Sequence, residues 1–590
     1  MTSRLIGRHI TRCVWSVSLA LSSGLLGCAA STARFPSRAE IHNIGDAPPP
    51  SRFARLDVVE VDTWKLEGPL PQVVGNEPHP ASSPWDALLA RVAQKRSGLV
   101  ALTEPMHCMA REMGRFYMAK NGLPPDDLER FIAARCGVVG SGVSTWYQKG
   151  EVSEGTTVEQ LHERWGSQVE TAIAEQLGTG VRAAGLWAGV AGRHAVVVGI
   201  SVIREIALEP LALVPDASGA VILKGEVLSP SENVTALVNK GRFGFAPCDP
   251  SPQAKLPRFE LRCTPDKTDV SAWIELGTFP PGRVIGTTAL TMLAWPAGEP
   301  GDTYARPAPE DVAPGGAAGG DTVRSFHDAI NRVRAAASLS AVALAPAQTE
   351  TARRVAPHFF AALFGLKPEI LADKMALGLR AGWDVDGRIS HGLITWGVVR
   401  NGPDVERLVA SLLARPSGRE ALLDPAAARL AVGAVASPED RVLAAVLCTY
   451  ALFDPKEQAA APEKILRRLT ELRQKAGRRA PQRLQGLEGF IQSAIVQVGQ
   501  RKDTPTEALD SLLQAAVEQT QRPARGWVSE ASRIEELVYP PEILSEAALD
   551  VALGVAYYVP ENEPWGRWVV FFVAVEGGVV ASAGGPTRIW

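Results

Sequence analysis

The chain has 590 residues, longer than one hydrophobic core sustains, and a length of this kind divides into about three or four domains. Its 61 Lys and Arg against 64 Asp and Glu leave a formal net charge of −3, which gives no electrostatic footprint for nucleic acid or an acidic ligand. Hydrophobic residues make up 46%, ordinary for a globular protein, and beyond the first 28 residues no apolar run is long enough to cross a bilayer.

The N-terminal stretch departs from that average. Arg4, Arg8 and Arg12 form a basic segment, residues 14–26 are apolar, and Leu25-Leu26-Gly27-Cys28 precedes a polar Ala/Ser/Thr run. Export signals share the order basic, apolar, small. The Leu-x-Gly-Cys ending resembles the bacterial lipobox. That resemblance implies that residues 1–28 are a lipoprotein signal peptide. Cys28 then carries a diacylglycerol as the mature N-terminus, and the chain is held at the membrane by lipid rather than by a spanning helix. Ala29 in the following position implies the outer membrane of a Gram-negative cell envelope. Residues 29–84 read as a polar, Pro-rich linker with one strand at LDVVEVDTW.

An exported chain meets an oxidising compartment, so its cysteines are read as disulfide candidates. Of seven, Cys13 leaves with the leader and Cys28 is acylated, leaving five. Cys108 and Cys136 bracket two helical segments, Cys248 and Cys263 bracket a Pro-rich loop, and both pairs are expected disulfides. Cys448, inside VLAAVLCTYALF, is expected to fill core. No Cys-x-x-Cys or His-x-x-x-His spacing occurs, so neither a structural metal nor a cofactor is expected.

Three segments share an order of elements. Residues 101–136 and 343–377 open with Ala-Leu, carry Ala110-Arg111 and Ala352-Arg353 at the same offset, and reach Gly-Leu-x-Pro at 122–125 and 365–368. Met106, Ala110, Met113 and Tyr117 fall on one helical face before the turn, and Leu128, Phe131 and Ile132 on one side after it. Gly ends one helix, and Pro starts the next where its missing N–H costs nothing. A weaker third copy at 504–509 follows GLEGFIQSAIVQV. Each segment then closes with two strongly apolar runs around a polar turn, at 185–200, 429–447 and 549–573, which are hairpin signals. The expected units are 85–206, 323–456 and 457–590, each read as helix, helix, variable middle, helix, hairpin. Residues 207–298 hold short strands at about 8–12 residue spacing and suggest an immunoglobulin-like β-sandwich, with Cys248–Cys263 as a local staple. Residues 299–322 form a Gly/Pro linker.

Residues 416–435, PSGREALLDPAAARLAVGAV, together with the helix-and-hairpin order, resemble the CAP domain of cysteine-rich secretory, antigen 5 and pathogenesis-related proteins. There Ser-Pro-Gly-His-Arg runs into Leu-Asp-Pro and Gly-Val-Gly. The resemblance implies a multidomain α+β chain of tandem CAP-like α/β/α sandwiches with one inserted immunoglobulin-like β-sandwich. It also implies a cleft lined by two His and two acidic side chains, and at those positions this chain departs from the pattern. Arg419 follows Ser417-Gly418 directly and the His is missing. Aligning Ile394-Thr395-Trp396-Gly397 on the family's Ile-Ala-Trp-Gly puts Gly392 and Leu393 where Glu-Asn stands, and the first and third units lack Gly-Glu-Asn too. The expectation is a family shell without catalytic residues.

Single residues remain to be placed. His391, beside the lost motif, is the cleft candidate; His358 is expected to pack or face solvent. His107 beside Cys108 hints at a metal pair, set against the use of Cys108 in a disulfide, and His162-Glu163 with His194 is a further candidate for convergence. No Gly-x-Ser-x-Gly elbow and no phosphate-binding glycine pattern follows a strand. The fourteen tryptophans, Trp187 and Trp396 among them, offer faces for sugars or fill core. The expected function is a non-catalytic cell-envelope lipoprotein that binds or scaffolds. Its partners would be the membrane and an envelope protein, glycan or lipid ligand, with no nucleic acid. The alternatives are a divergent CAP-type hydrolase or metal-dependent enzyme using His391, or His162 with Glu163, and a purely structural spacer.

Overall fold

The computed structural model describes residues 35–576 except 54–57, 97–98, 178–179, 281–285, 308–320, 367, 369, 401–403, 438–440, 501, 532–533, 535–536, 547–548 and 560–562. Cys28, the leader and most of the 299–322 linker lie outside the described residues. The chain divides into two compact bodies, Met1–Arg380 with Leu393–Thr449 and Ala381–Gly392 with Tyr450–Trp590. Both mix helices with small sheets, a multidomain α+β architecture.

One order of elements occurs three times. It begins with the helix Pro84–Gln94, the short strand Val100–Leu102, the helices Glu104–Lys120 and Asp126–Cys136, and the long strand Ser141–Glu151. The helix Val158–Gln176 and the hairpin Arg182–Ala191/His194–Ile203 complete it. In its sheet the short strand runs parallel to the first hairpin strand, the second hairpin strand comes next, and the long strand closes the other edge. The same order returns from Thr322–Ala336 to the strands Ala427–Ser437 and Val442–Leu452, and again from Pro455–Lys475 to Leu549–Tyr558 and Arg567–Glu576. The hairpins and the paired helices fall where their apolar runs place them. The leading helix, the two- or three-residue parallel strand and the long edge strand are additions to the expected order. Ser141–Glu151 hides as a strand because most of its residues are exposed or half-buried, leaving no continuous apolar run to read.

Two devices recur in the repeats. A buried arginine near the end of the leading helix staples it to carbonyl groups ahead of the hairpin. Arg334 donates to Ser340 O (2.8 Å), Leu422 O (2.9 Å) and Asp424 O (3.1 Å). Arg473 donates to Arg479 O (2.9 Å), Ile543 O and Glu546 O (3.0 Å). The first repeat has a looser counterpart: Arg96, half-buried and past the end of its helix, donates to Ala174 O (2.6 Å) within the helix Val158–Gln176. Carbonyl acceptors of this kind satisfy a buried guanidinium without a second charge. The other device is the glycine inside each first hairpin strand. A Cβ at Gly185 would lie 2.2 Å from the Met106 carbonyl, one at Gly433 2.5 Å from Ala352 O, and one at Gly554 2.9 Å from the Ile491 side chain. Glycine lets the strand lie flush on the helix that follows the short parallel strand.

Residues 206–294 form two four-stranded antiparallel sheets. Ile274, Leu276 and Val238 of one sheet and Leu223, Leu261 and Cys263 of the other belong to one buried cluster. Cys248 lies between the strand Gly244–Pro247 of one sheet and Asp249–Pro250 of the other, and it is bridged to Cys263. Cys108 and Cys136 form the other disulfide, joining the helices Glu104–Lys120 and Asp126–Cys136. Cys448 is buried and forms no disulfide.

The polar segment expected as a spacer is packed from residue 35 onward. Its helix Arg38–Gly45, opened by a Ser37–Glu40 capping box, lies on the helix Pro346–Leu363 with Ile41 buried. Thr63–Lys65 pairs antiparallel with Thr303–Ala305 from the second expected linker, and Val73–Val74 pairs with Leu211–Ala212. Scattered apolar side chains, Phe35, Leu66, Val74 and Tyr304, are buried here among polar neighbours. Composition averages them away, and that is why the stretch reads as linker.

Candidate metal centre

Three side chains from separate parts of the first repeat converge. His79 lies in the extended segment ahead of the Pro84–Gln94 helix, where its N–H donates to Leu102 O (3.1 Å) while Glu104 N donates to Glu77 O (2.8 Å). Asp86 is the third residue of that helix, and His107 the fourth of the Glu104–Lys120 helix. The Cys108–Cys136 disulfide, one residue from His107, anchors the second of these helices.

Asp86 is held through one oxygen. Its Oδ2 accepts from Ser82 N (3.3 Å), Ser82 Oγ (3.2 Å), Ser83 N (3.0 Å) and Ser83 Oγ (2.7 Å), the capping box of the first helix. That leaves Oδ1 facing His79 Nε2 at 3.4 Å and His107 Nδ1 at 3.7 Å. Both nitrogens are buried and make no hydrogen bond. The opposite nitrogen of His79, Nδ1, lies 2.5 Å from Glu104 Oε2. The two imidazoles stack with centroids 3.9 Å apart and planes 11° from parallel.

These contacts set the proton positions. In the tautomer whose Nδ1–H donates to Glu104, Nε2 of His79 presents a lone pair to a carboxylate oxygen; protonated, the same ring lies between the Glu104 and Asp86 carboxylates. Two acceptors facing each other in a buried site repel unless a cation lies between them. Protonating both rings puts two charges in a 3.9 Å stack. Burial, followed by the neighbouring His79, holds His107 below its usual 6.5, against the opposing pull of Asp86 and Glu104. The neutral, metal-ready form is therefore favoured at His107.

A metal ion resolves the conflict. One ligand atom from each of His79, Asp86 and His107 lies within 4.8 Å of the others. A tetrahedral ion with bonds of about 2.0–2.2 Å has ligand-to-ligand edges of roughly 3.3–3.6 Å, close to the 3.4 and 3.7 Å found here. Glu104 then stands as the carboxylate behind a ligating histidine, which fixes its tautomer and raises its basicity. Two imidazoles and one carboxylate suit zinc and other borderline divalent ions, and three protein ligands leave a coordination position open.

The residues singled out in the sequence scatter by comparison. His391 is half-buried on the strand Ile389–Val399, its Nδ1 3.5 Å from Ser390 Oγ. His358 is buried and its Nε2 lies 3.2 Å from Ala47 O, a packing role. His162 meets the edge of Trp85 at 5.0 Å, Glu163 is exposed, and His194 is exposed at the start of its strand. Arg419, next after Ser417-Gly418, donates to Leu413 O (2.8 Å), Gly241 O (2.8 Å) and Gly244 O (2.7 Å), tying its helix to the sandwich. His107, paired in the sequence with Cys108, works instead with His79 and Asp86. Neither of those two stood out, because the ligands are seven and twenty-one positions apart. The available signal was local: SSPWD and TEPMH both read as helix starts with an acidic first turn.

No protein-family model matches the chain, and no curated protein matches it.

Proposed function

We propose that this chain is a lipid-anchored cell-envelope protein that binds and scaffolds, built on three CAP-like units and an immunoglobulin-like sandwich, with a divalent transition-metal ion held in the first unit. The convergence of His79 Nε2, His107 Nδ1 and Asp86 Oδ1, two orphan nitrogens around one oriented carboxylate oxygen, carries the metal reading. The Leu25–Cys28 sequence supports the anchor. The threefold order of elements supports the CAP-like frame. Arg419, spent on backbone carbonyls, supports a middle unit that serves as scaffold.

Zinc titration of the metal-free full chain tests this. One ion per chain is expected, with affinity falling about a hundredfold or more in His107→Ala, since a ligand is lost outright. Binding that is unchanged in that variant overturns the reading.

The open coordination position favours a second reading, a metal-dependent hydrolase in which the ion generates hydroxide from a bound water. Hydrolysis of activated esters or peptides by the zinc-loaded chain, absent in His107→Ala, selects the enzyme. Stoichiometric zinc without hydrolysis selects the binding module.

A further inference from the structure

A small open cleft, with a cavity volume of about 30 Å³, lies within the first compact body, and no metal ligand is among its lining residues. Its wall combines Asp126 and Arg130 at the start of one helix, Arg306 beside the strand Thr303–Ala305, Trp396 on the strand Ile389–Val399, and Arg407 and Arg415 around the helix Val405–Leu413. Four guanidinium groups share the wall with three carboxylates, Glu60, Asp126 and Asp127, and like charges this close repel wherever no anion neutralises them.

The protein's own carboxylates neutralise only part of this set. Arg306 is consumed by Glu60, with Asp62 Oδ1 at 3.3 Å. Asp127 accepts from the Tyr304 hydroxyl and the Leu128 N–H, and burial pushes its carboxyl upward, toward the neutral form. Arg407 approaches Asp404 at 3.7 Å, and its buried Nε makes no hydrogen bond. Arg415 donates through Nη2 to Trp396 O (2.8 Å), while its buried Nε is unbonded. Burial, and next Arg130, lowers Arg415 to about 10. Among the described residues, neither Arg130 nor Arg415 has a carboxylate within ion-pair distance.

We infer that this cavity binds a small ligand bearing a carboxylate or phosphate group, gripped between Arg130 and Arg415 with the Trp396 ring beside it. Guanidinium forks match both oxyanions with paired N–H donors. The cleft has room for the oxyanion group itself, about two water molecules' worth of volume, with the rest of the ligand outside it, and Ser411 adds a hydroxyl to the wall. The inference is independent of the metal centre.

Calorimetric titration of the full chain with inorganic phosphate and, separately, citrate at matched ionic strength tests it. Wild-type protein is expected to bind at least one of them, phosphate alone marking a phosphorylated ligand and citrate alone a carboxylate. Arg130→Gln is expected to weaken binding about tenfold or more, the worth of one charge-assisted hydrogen bond or better. Arg130 has no hydrogen bond to lose, so this variant tests the cavity even where Arg415→Gln, which gives up the Trp396 contact, fails to fold. Arg353→Gln, an exposed arginine paired with Glu350, serves as the control for general charge. Absence of wild-type binding up to about 10 mM, or equal weakening in Arg130→Gln and Arg353→Gln, overturns the inference.

Discussion

Asp86 does two jobs with its two oxygens: Oδ2 caps a helix and Oδ1 faces the histidines. Glu104 is easier to test, because its side chain is 40% exposed and its partner is His79. Glu104→Gln is expected to lower zinc affinity about 10–100-fold while leaving folding stability within about 0.5 kcal/mol. Titration together with urea unfolding separates the two effects, and an unchanged affinity would remove Glu104 from the site. A second residue prediction concerns Asp127. Burial raises its carboxyl above 3.8, opposed by the Tyr304 hydroxyl. A carboxyl that holds its proton more tightly folded than unfolded stabilises the fold at low pH, and that contribution is lost as pH rises from 3.8 through the raised value. Asp127→Asn keeps an acceptor for Tyr304 and cannot titrate. Its urea midpoint is expected to gain on the wild type between about pH 4 and pH 7, and a constant difference between the two proteins would contradict the shift. At this scale the sequence was poorly legible. His79, Asp86 and His107 share no spacing, and only the fold brings two helix starts and an extended segment together.

Elements were more legible, because periodicity reports burial. The hairpins at 182–203 and 549–576 follow their apolar runs, and the helices around the Gly-Leu-x-Pro turn follow theirs. One detail differs: the left-handed residue closing the helix Glu104–Lys120 is Asn121, not Gly122. Asparagine tolerates that conformation through its short polar side chain. The glycines inside the apolar strands have a packing cause. Gly185 lies against the first turn of the helix that carries His107, and a Cβ there would sit 2.2 Å from the Met106 carbonyl and 2.6 Å from His107 N. Gly185→Ala is therefore expected to destabilise the protein by about 1–3 kcal/mol through overpacking and to weaken zinc binding in the same variant. Urea unfolding and titration check both. A stable variant with full zinc affinity would show that the strand and helix do not meet as described.

For the molecule as a whole, the repeat was visible because turns and hairpins carry strong local signals. The leading helices carry a regular apolar stripe, Trp85, Leu88, Leu89 and Val92 in one and Phe326, Ala329, Ile330 and Val333 in the next, outside the segment compared between repeats; the edge strand Ser141–Glu151 is interrupted by polar residues. The segments expected as linkers were misread for the same reason. A few buried side chains and two short strand pairs, 63–65 with 303–305 and 73–74 with 211–212, hold these segments in place, and composition records neither. The anchor belongs to this scale as well. Cys28→Ala is expected to remove acylation and release the chain from the membrane fraction, which palmitate labelling and fractionation would detect; labelling that persists would place the lipid elsewhere.

The central claim is the metal centre, and metal stoichiometry tests it most directly. The full chain, purified without a metal-affinity step and equilibrated with zinc, would be assayed for bound metal beside His107→Ala. One ion per wild-type chain and background in the variant are expected. Background in both, or one ion in both, would contradict it.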